Sequence, residues 1–187
     1  IELMEKGVAT GARKTLHPGK AVCTIVAMSE RIRGFVDHNR DVLLMSSAEA
    51  LDPRTIAENR LLRCVNSAFQ VDLLGQVNAE TVGGFQAAGV GGQLDFFRGA
   101  ALREDAATII VLDSTTSDGS VSRIVPELGT GAVVTSTRYD IDYVITEYGV
   151  AQMRGRTTKE RAQELIGIAH PSFREELERA AREMLLL

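Results

Sequence analysis

Apolar and polar positions fall into blocks of two kinds along the 187-residue chain. "IELMEKGV" begins amphipathic and stops at Gly7, which predicts a short helix over 1–6. It enters mid-pattern at Ile1 and without an initiator Met, so the chain is expected to belong to a longer polypeptide. "KAVCTIVAM" (20–28) is a near-continuous β-branched run, the pattern of a strand buried on both faces. Ser29 with Glu30 predicts a helix through "ERIRGFVDHN", and "VLLMS" (42–46) a short strand. Asp52-Pro53 pairs a cap with proline at the first helical position and opens a helix over 53–59. "LLRCVNSAFQVDLLGQVNAE" alternates around Phe69, Val71 and Leu73 and turns at Gly75, which predicts a strand and the start of its hairpin return.

After the glycine-rich "GVGGQLDFFRGAA" (89–101) a helix is expected to run to near Leu102. "ATIIVLDST" (107–115) predicts a buried strand followed by a loop from Ser114 to Gly119. "SVSRIVPEL", "AVVTST" and "DYVITEYG" predict three more short strands, the first ending at Pro126, with a short turn of helix beginning at Gly149. Thr157 with Glu160 makes a capping box for a helix over 158–169, and Ser172 with Glu175 another for 173–186. Buried strands alternating with helices predict one α/β domain over 1–187, a mostly parallel sheet with helices on both faces.

The glycine segment demands an explanation, because glycine inside an element costs about 0.5–1 kcal/mol relative to alanine. A P-loop needs Gly-Lys-Ser/Thr, and Gln93 and Leu94 stand there instead. A dinucleotide fingerprint counted from Gly89 and Gly91 needs glycine at Leu94. Two readings remain: a tight turn before a packed helix, or bare backbone N–H groups at a helix N-terminus, suited to an anion or a developing oxyanion.

Composition narrows the partners. A net charge of −4 argues against a broad nucleic-acid footprint, and Arg154, Arg156, Lys159 and Arg161, interleaved with Thr and Glu, read as a solvated helix entry. No apolar run approaches the ~18 residues of a membrane span. Cys23 and Cys64 sit in apolar runs and read as reduced core residues of a cytoplasmic protein. His17, His38 and His170 are too scattered for a zinc site, so no metal is expected.

"NSAFQVDLLGQVNAE", "GVGGQLDFFRGA", "SRIVPELGTGAVVTSTRYDIDYVITEYGVAQMRGRT" and "RAQELIGIAHPSFREEL" occur in that order. The most specific pieces are Gly-x-Gly-Gly-Gln-x-Asp-Phe (Gly89 to Phe96), Thr-Glu-Tyr-Gly (Thr146 to Gly149) and Ala-His-Pro (Ala169 to Pro171). Together they resemble the C-terminal domain of the acetyl-CoA hydrolase/transferase family, which includes 4-hydroxybutyrate, acetate and succinate CoA-transferases. The resemblance implies a CoA-transferase-type α/β domain in which coenzyme A, as acyl-CoA, is the substrate and a short-chain carboxylate the acceptor. It implies backbone of oxyanion type at Gly89 and Gly91. It also implies CoA contacts at Asn66, Gly89, Val90, Gly91, Gly92, Gln93 and Ser117. The family's glutamate nucleophile lies in a Gly-x-His-x-Glu stretch ahead of the helix matched by 1–6. That glutamate is therefore expected before Ile1, and no catalytic side chain is expected within 1–187. The resemblance thus implies a CoA-facing half whose nucleophile and N-terminal domain belong to the longer polypeptide, with these residues inactive alone. A homo-oligomer is compatible with it. Gln70 and "TTSDGS" depart from the family pattern, the latter replacing a more basic loop around Ser117.

Other residues carry plainer expectations. Glu147 is read as a local hydrogen-bonding group, Asp95 as a favourable charge in a first helical turn, and His170 as a structural hydrogen bonder. Asn66 is unusual for a mid-strand position and is read as functional. The rival readings are a non-catalytic domain of the same fold that binds a CoA ester or sugar phosphate, and an interaction module that binds no CoA.

Overall fold

The computed structural model describes residues 1–26 and 29–187. The chain runs through α1 (Glu2–Glu5), β1 (Ala21–Cys23), α2 (Glu30–Val36), β2 (Val42–Leu44), α3 (Ser47–Ala50) and α4 (Pro53–Ala57). Next come β3 (Arg63–Ser67), β4 (Gln70–Asp72), β5 (Val77–Asn78), β6 (Thr81–Val82), β7 (Phe85–Gln86) and α5 (Gln93–Ala101). It closes with β8 (Ala107–Val111), β9 (Ile124–Val125), β10 (Tyr143–Thr146), β11 (Gly149–Gln152), α6 (Thr158–Ile168) and α7 (Pro171–Glu183).

The main sheet has four strands in the order β11-β10-β8-β3. β3, β8 and β10 are parallel, and β11 is antiparallel to β10. The register aligns Cys64 with Thr108, Asn66 with Ile110 and Val144 with both Ile110 and Ala151, so these residues share one face. That face is the core: it packs on Phe97 and Ala100 of α5, on Ala162, Leu165 and Ile166 of α6, and through α6 on Leu177 and Ala181 of α7. A smaller sheet, β5-β4-β9, buries Val71, Val77 and Ile124 completely. β1 pairs with β2 in parallel, and β6 with β7 as a hairpin.

Local chemistry sets the boundaries. Ile1 caps α1 through its backbone, its carbonyl accepting from the N–H groups of Met4 at 2.8 Å and Glu5 at 2.9 Å. Ser29 Oγ accepts from the Ile32 N–H at 3.2 Å, and Asp52 Oδ1 from the Arg54 N–H at 2.8 Å. Thr157 and Glu160 form the reciprocal capping box. Thr108 and Asp142 stitch the entry of β8 to that of β10: the Thr108 N–H donates to Asp142 Oδ2 and the Asp142 N–H to Thr108 Oγ1, each at 2.9 Å. Arg154 closes on the same carboxylate. Both cysteines are free thiols, and burial pushes the Cys64 thiol up to about 11, with the Asp142 charge adding to it.

Several expectations are corrected. The sheets are mixed rather than mostly parallel, because the two residues Glu147 and Tyr148 joining β10 to β11 can only make an antiparallel neighbour. Gly149 accordingly starts a strand and not a helix. α5 and α6 cover one face of the main sheet; on the other, Val65, Val111 and Val150 are exposed. The predicted strand over 20–28 is realised as Ala21–Cys23, and its positions 27 and 28 lie outside the described residues. "AVVTST" forms no strand: it meets Val77 in a single bridge at Ser136, and its Thr and Ser hydroxyls hold other loops. α7 begins at Pro171 because His170 Nδ1, not Ser172, accepts the first free N–H, that of Ser172 at 3.3 Å. Arg161 is not solvated. It is buried and donates to the carbonyls of Arg138 at 2.6 Å and Leu74 at 3.4 Å, tying α6 to the Gly75 turn.

Candidate functional site

The glycine turn hangs between two polar clamps. On its N-terminal side the Glu80 carbonyl accepts from the N–H groups of Ala87 at 2.7 Å and Ala88 at 3.0 Å. Gln86 Nε2 donates to the Ala88 carbonyl at 2.6 Å and to Glu80 Oε1 at 3.3 Å. The other Glu80 oxygen accepts from the Thr135 hydroxyl at 2.8 Å, so the strap over 132–137 is part of the same clamp. Asn78, fully buried, lies beneath: its Oδ1 accepts from the N–H groups of Glu80 and Thr81, and its Nδ2 donates to the Thr81 carbonyl. On the C-terminal side Gln93 Nε2 donates to Ser136 Oγ at 2.9 Å, in the interior.

Between these clamps Gly89, Val90 and Gly91 are exposed. Gly91 has φ +61°, in the left-handed region that favours glycine, and a Cβ built on it would meet nothing within 4 Å. Gly92 is different: its Cβ would stand 2.8 Å from Leu51 Cδ2, so the turn is pressed against the α3–α4 corner there. Gly92 is also the N-cap of α5 and offers no capping side chain. The first N–H groups of a helix lack partners within it. Here they follow an open turn, with Asp95 in the first helical turn as expected. Val82 and Phe85 of the preceding hairpin and Val90 of the turn itself are exposed apolar residues, Phe85 being 80% exposed. A groove of about 620 Å³, lined among others by Ser47, Leu51, Arg54 and Asp95, borders the start of α5.

The remaining site residues are distributed as follows. Asn66 lies on the helix-covered face of the main sheet, two residues beyond Cys64, whose Sγ reaches the Phe96 carbonyl of α5 at 3.4 Å. It is half-buried, and among the described residues its side chain makes no hydrogen bond. Gln93 Nε2 is committed to Ser136, which leaves its amide oxygen and its backbone for a ligand. Ser117 is exposed at the tip of a separate turn, next to Asp118, whose carboxylate binds the hydroxyls of Thr116 and Ser120. Those hydroxyls hold the Asp118 carboxyl down at about 2. No hydrogen bond among the described residues joins Ser117 to the glycine turn. Glu147 accepts from the Ser114 N–H at 2.9 Å and from the Ser114 hydroxyl, the local role expected of it. Burial opposes its ionisation, but the Ser114 hydroxyl and backbone N–H groups outweigh it and hold the carboxyl below the ordinary glutamate value. The sequence reading missed Glu80, Gln86 and Ser136. Their one signal is polar residues in otherwise strand-like stretches on either side of the glycines.

Residues 29–181 match the family described as acetyl-CoA hydrolase/transferase C-terminal domain. The chain is 48% identical over 177 residues to the 4-hydroxybutyrate coenzyme A transferase of Clostridium kluyveri, covering 95% of this chain and 41% of that protein. It is 41% identical over 184 residues to a succinyl-CoA:cyclohexane-1-carboxylate CoA transferase of Geobacter metallireducens, with 98% and 42% covered. Among solved structures, RipA from Yersinia pestis superposes with a TM-score of 0.90 at 36% identity, over 100% of this chain and 42% of that one. The chain thus spans about two fifths of the length of these relatives.

Proposed function

Because the chain belongs to the acetyl-CoA hydrolase/transferase C-terminal domain family, we propose that it is the CoA-facing half of an enzyme that moves coenzyme A from a short-chain acyl-CoA to a carboxylate. In this reading a glutamate from the polypeptide ahead of Ile1 attacks the thioester carbonyl, and the C–S bond breaks to give a mixed anhydride and the CoA thiolate. The thiolate then attacks the glutamyl carbonyl, releasing the donor as its carboxylate and leaving a glutamyl-CoA thioester. The acceptor carboxylate reverses both steps. The chemistry needs no metal ion, and the protein works in the cytoplasm on small-molecule partners.

The part given to this domain is to receive the thioester end. Gly89 and Gly91 present bare backbone to the reacting carbonyl, and the unpaired N–H groups at the start of α5 favour its developing negative charge. Asn66, its amide free of other partners among the described residues, faces the same ligand from β3, while Gln93 contributes through its backbone. Ser117 is a more remote CoA contact. The observation that carries the reading is Gly91: left-handed, exposed, and with nothing against it that packing would require.

Two substitutions in the full-length enzyme test it. Gly91→Val puts a β-branched side chain over the turn at a φ it rarely adopts, whereas Gly91→Asn adds a side chain that tolerates that φ. Both keep the N–H at position 91 but set a side chain beside it, and both should lower the acyl-transfer rate, by roughly 100- to 1000-fold if the reacting carbonyl can no longer reach one oxyanion donor. Gly91→Asn should leave the melting temperature near that of the parent. A Gly91→Asn enzyme with parental turnover and a Gly91→Val enzyme that is merely unstable would refute the assignment.

A further inference from the structure

The core explains one face of the main sheet and leaves the other unexplained. On that second face the register sets Val65, Ile109, Tyr143 and Gln152 in one row, and Ser67, Val111, Ile145 and Val150 in the next. Val65 is 59% exposed, Val150 58% and Val111 40%, with Ile109 and Ile145 half-buried between them. β-Branched side chains thus fill the middle of a sheet face that no helix among the described residues covers. Three of the four strands are parallel, and parallel strands are joined by crossover helices that lie on the sheet faces; all-parallel sheets are covered on both.

The two ends of this face differ. At the C-terminal ends of the parallel strands a hollow of about 370 Å³ is lined by Asp113, Glu147 and Arg123 together with Val111 and Ile145. At the opposite end Arg63 bonds carbonyls, those of Leu62 at 3.0 Å and Asp105 at 2.8 Å. There Arg154 and Arg103 are already paired with Asp142 and Asp105, and Glu104 stands beside them. A helix running antiparallel to the strands, as crossover helices do, brings its positive N-terminal end to Asp113 and Glu147 and its negative end to Arg63.

We propose that this face seats an amphipathic α-helix from the part of the same polypeptide outside residues 1–187. The relatives carry about three fifths of their length beyond the matched segment, and this is a C-terminal domain of its family. Tethered chain competes for the face at an effective concentration of the order of millimolar, which a separate molecule rarely matches. The inference rests on family membership and the bare face, and does not depend on where CoA binds.

The test uses the full-length protein with Val150→Cys, Val65→Cys and, as an exposed control, Lys159→Cys on α6, each compared with the parent to subtract the native cysteines. The thiols introduced at positions 150 and 65 should react with a maleimide at least ~100-fold more slowly than the control thiol on α6, and this protection should be unchanged on serial dilution. A diazirine amino acid introduced genetically at position 150 or 65, and irradiated in the folded protein, should then capture a peptide from outside 1–187, at residues spaced three, four or seven apart. Labelling at the control rate would show a bare face. Protection lost on dilution, or cross-links confined to residues 1–187 of another copy, would assign the face to self-association. Captured residues at alternating positions would make the occupant a strand. Each of these three outcomes overturns the proposal.

Discussion

Gly91 and Gly99 are both glycines of one short segment, yet they answer to different forces. Gly99 is buried in α5, and a Cβ there would lie 2.5 Å from Ile56 Cγ2, 2.6 Å from Ile56 Cβ and 3.0 Å from the Pro53 carbonyl oxygen. One of those neighbours is backbone, so α4 and α5 must move apart to admit even alanine. Gly99→Ala is therefore expected to cost about 1–3 kcal/mol, as overpacking typically does. Urea unfolding should show the loss, and in the full-length protein the folded fraction should keep the parental rate of the proposed reaction. An unchanged midpoint would mean that the helices separate freely. Asp105 illustrates a polar constraint at the same scale. The Arg103 side chain, with Nε 2.6 Å from Oδ1, and then the Leu61 N–H hold its carboxyl well below the usual aspartate value. A carboxyl with a depressed folded pKa contributes stability above its unfolded value, near pH ~4, and loses it as pH falls through the folded value. Asp105→Asn should lower the melting temperature at neutral pH and flatten the acid limb of the Tm–pH curve. Parallel curves for variant and parent would show that the pair contributes nothing.

At the scale of elements, the sequence is legible where the signal is local. Ser29, Asp52-Pro53 and the Thr157–Glu160 pair each announce a helix start that the structure contains. The apolar runs around Ile110 and Val144 announce strands of the main sheet. What stays hidden depends on partners distant in the chain. "AVVTST" has the composition of a strand, but its Thr135 and Ser136 hydroxyls are claimed by Ala79, Glu80 and Gln93 from 43 to 56 residues away. The run from Leu61 to Glu80 looks continuous, yet breaks at Ala68–Phe69 so that β3 and β4 enter different sheets. At Gly149 the sequence predicts a turn of helix, and pairing with β10, a partner the local pattern does not name, makes it a strand instead. The site divides the same way: glycines at 89, 91 and 92 mark the turn in sequence, whereas the clamp of Glu80, Gln86 and Ser136 exists only in space.

For the whole molecule, the proposed reaction asks which carboxylate carries the acyl and CoA groups. Glu147 is the conspicuous candidate within residues 1–187, since it ends a parallel strand beside a hollow where α/β proteins often bind ligands. Its bonds point elsewhere. Ser114 engages it through both N–H and hydroxyl, bridging the ends of β8 and β10, and these contacts hold the carboxyl ionised and oriented as a structural tie. With one Ser114 donor on each of its oxygens, the carboxylate is fixed in place and weakened as a nucleophile. Residues 1–187 alone are thus expected to show no CoA transfer, even where they bind acyl-CoA. The full-length protein, incubated with acyl-CoA and no acceptor, should accumulate one CoA per chain on a glutamate ahead of Ile1, read by peptide mass spectrometry after proteolysis. A CoA thioester on Glu147, or turnover by residues 1–187 that Glu147→Gln abolishes, would place the nucleophile in this domain. The two-part division of labour would then fail, while a CoA-binding glycine turn would still stand.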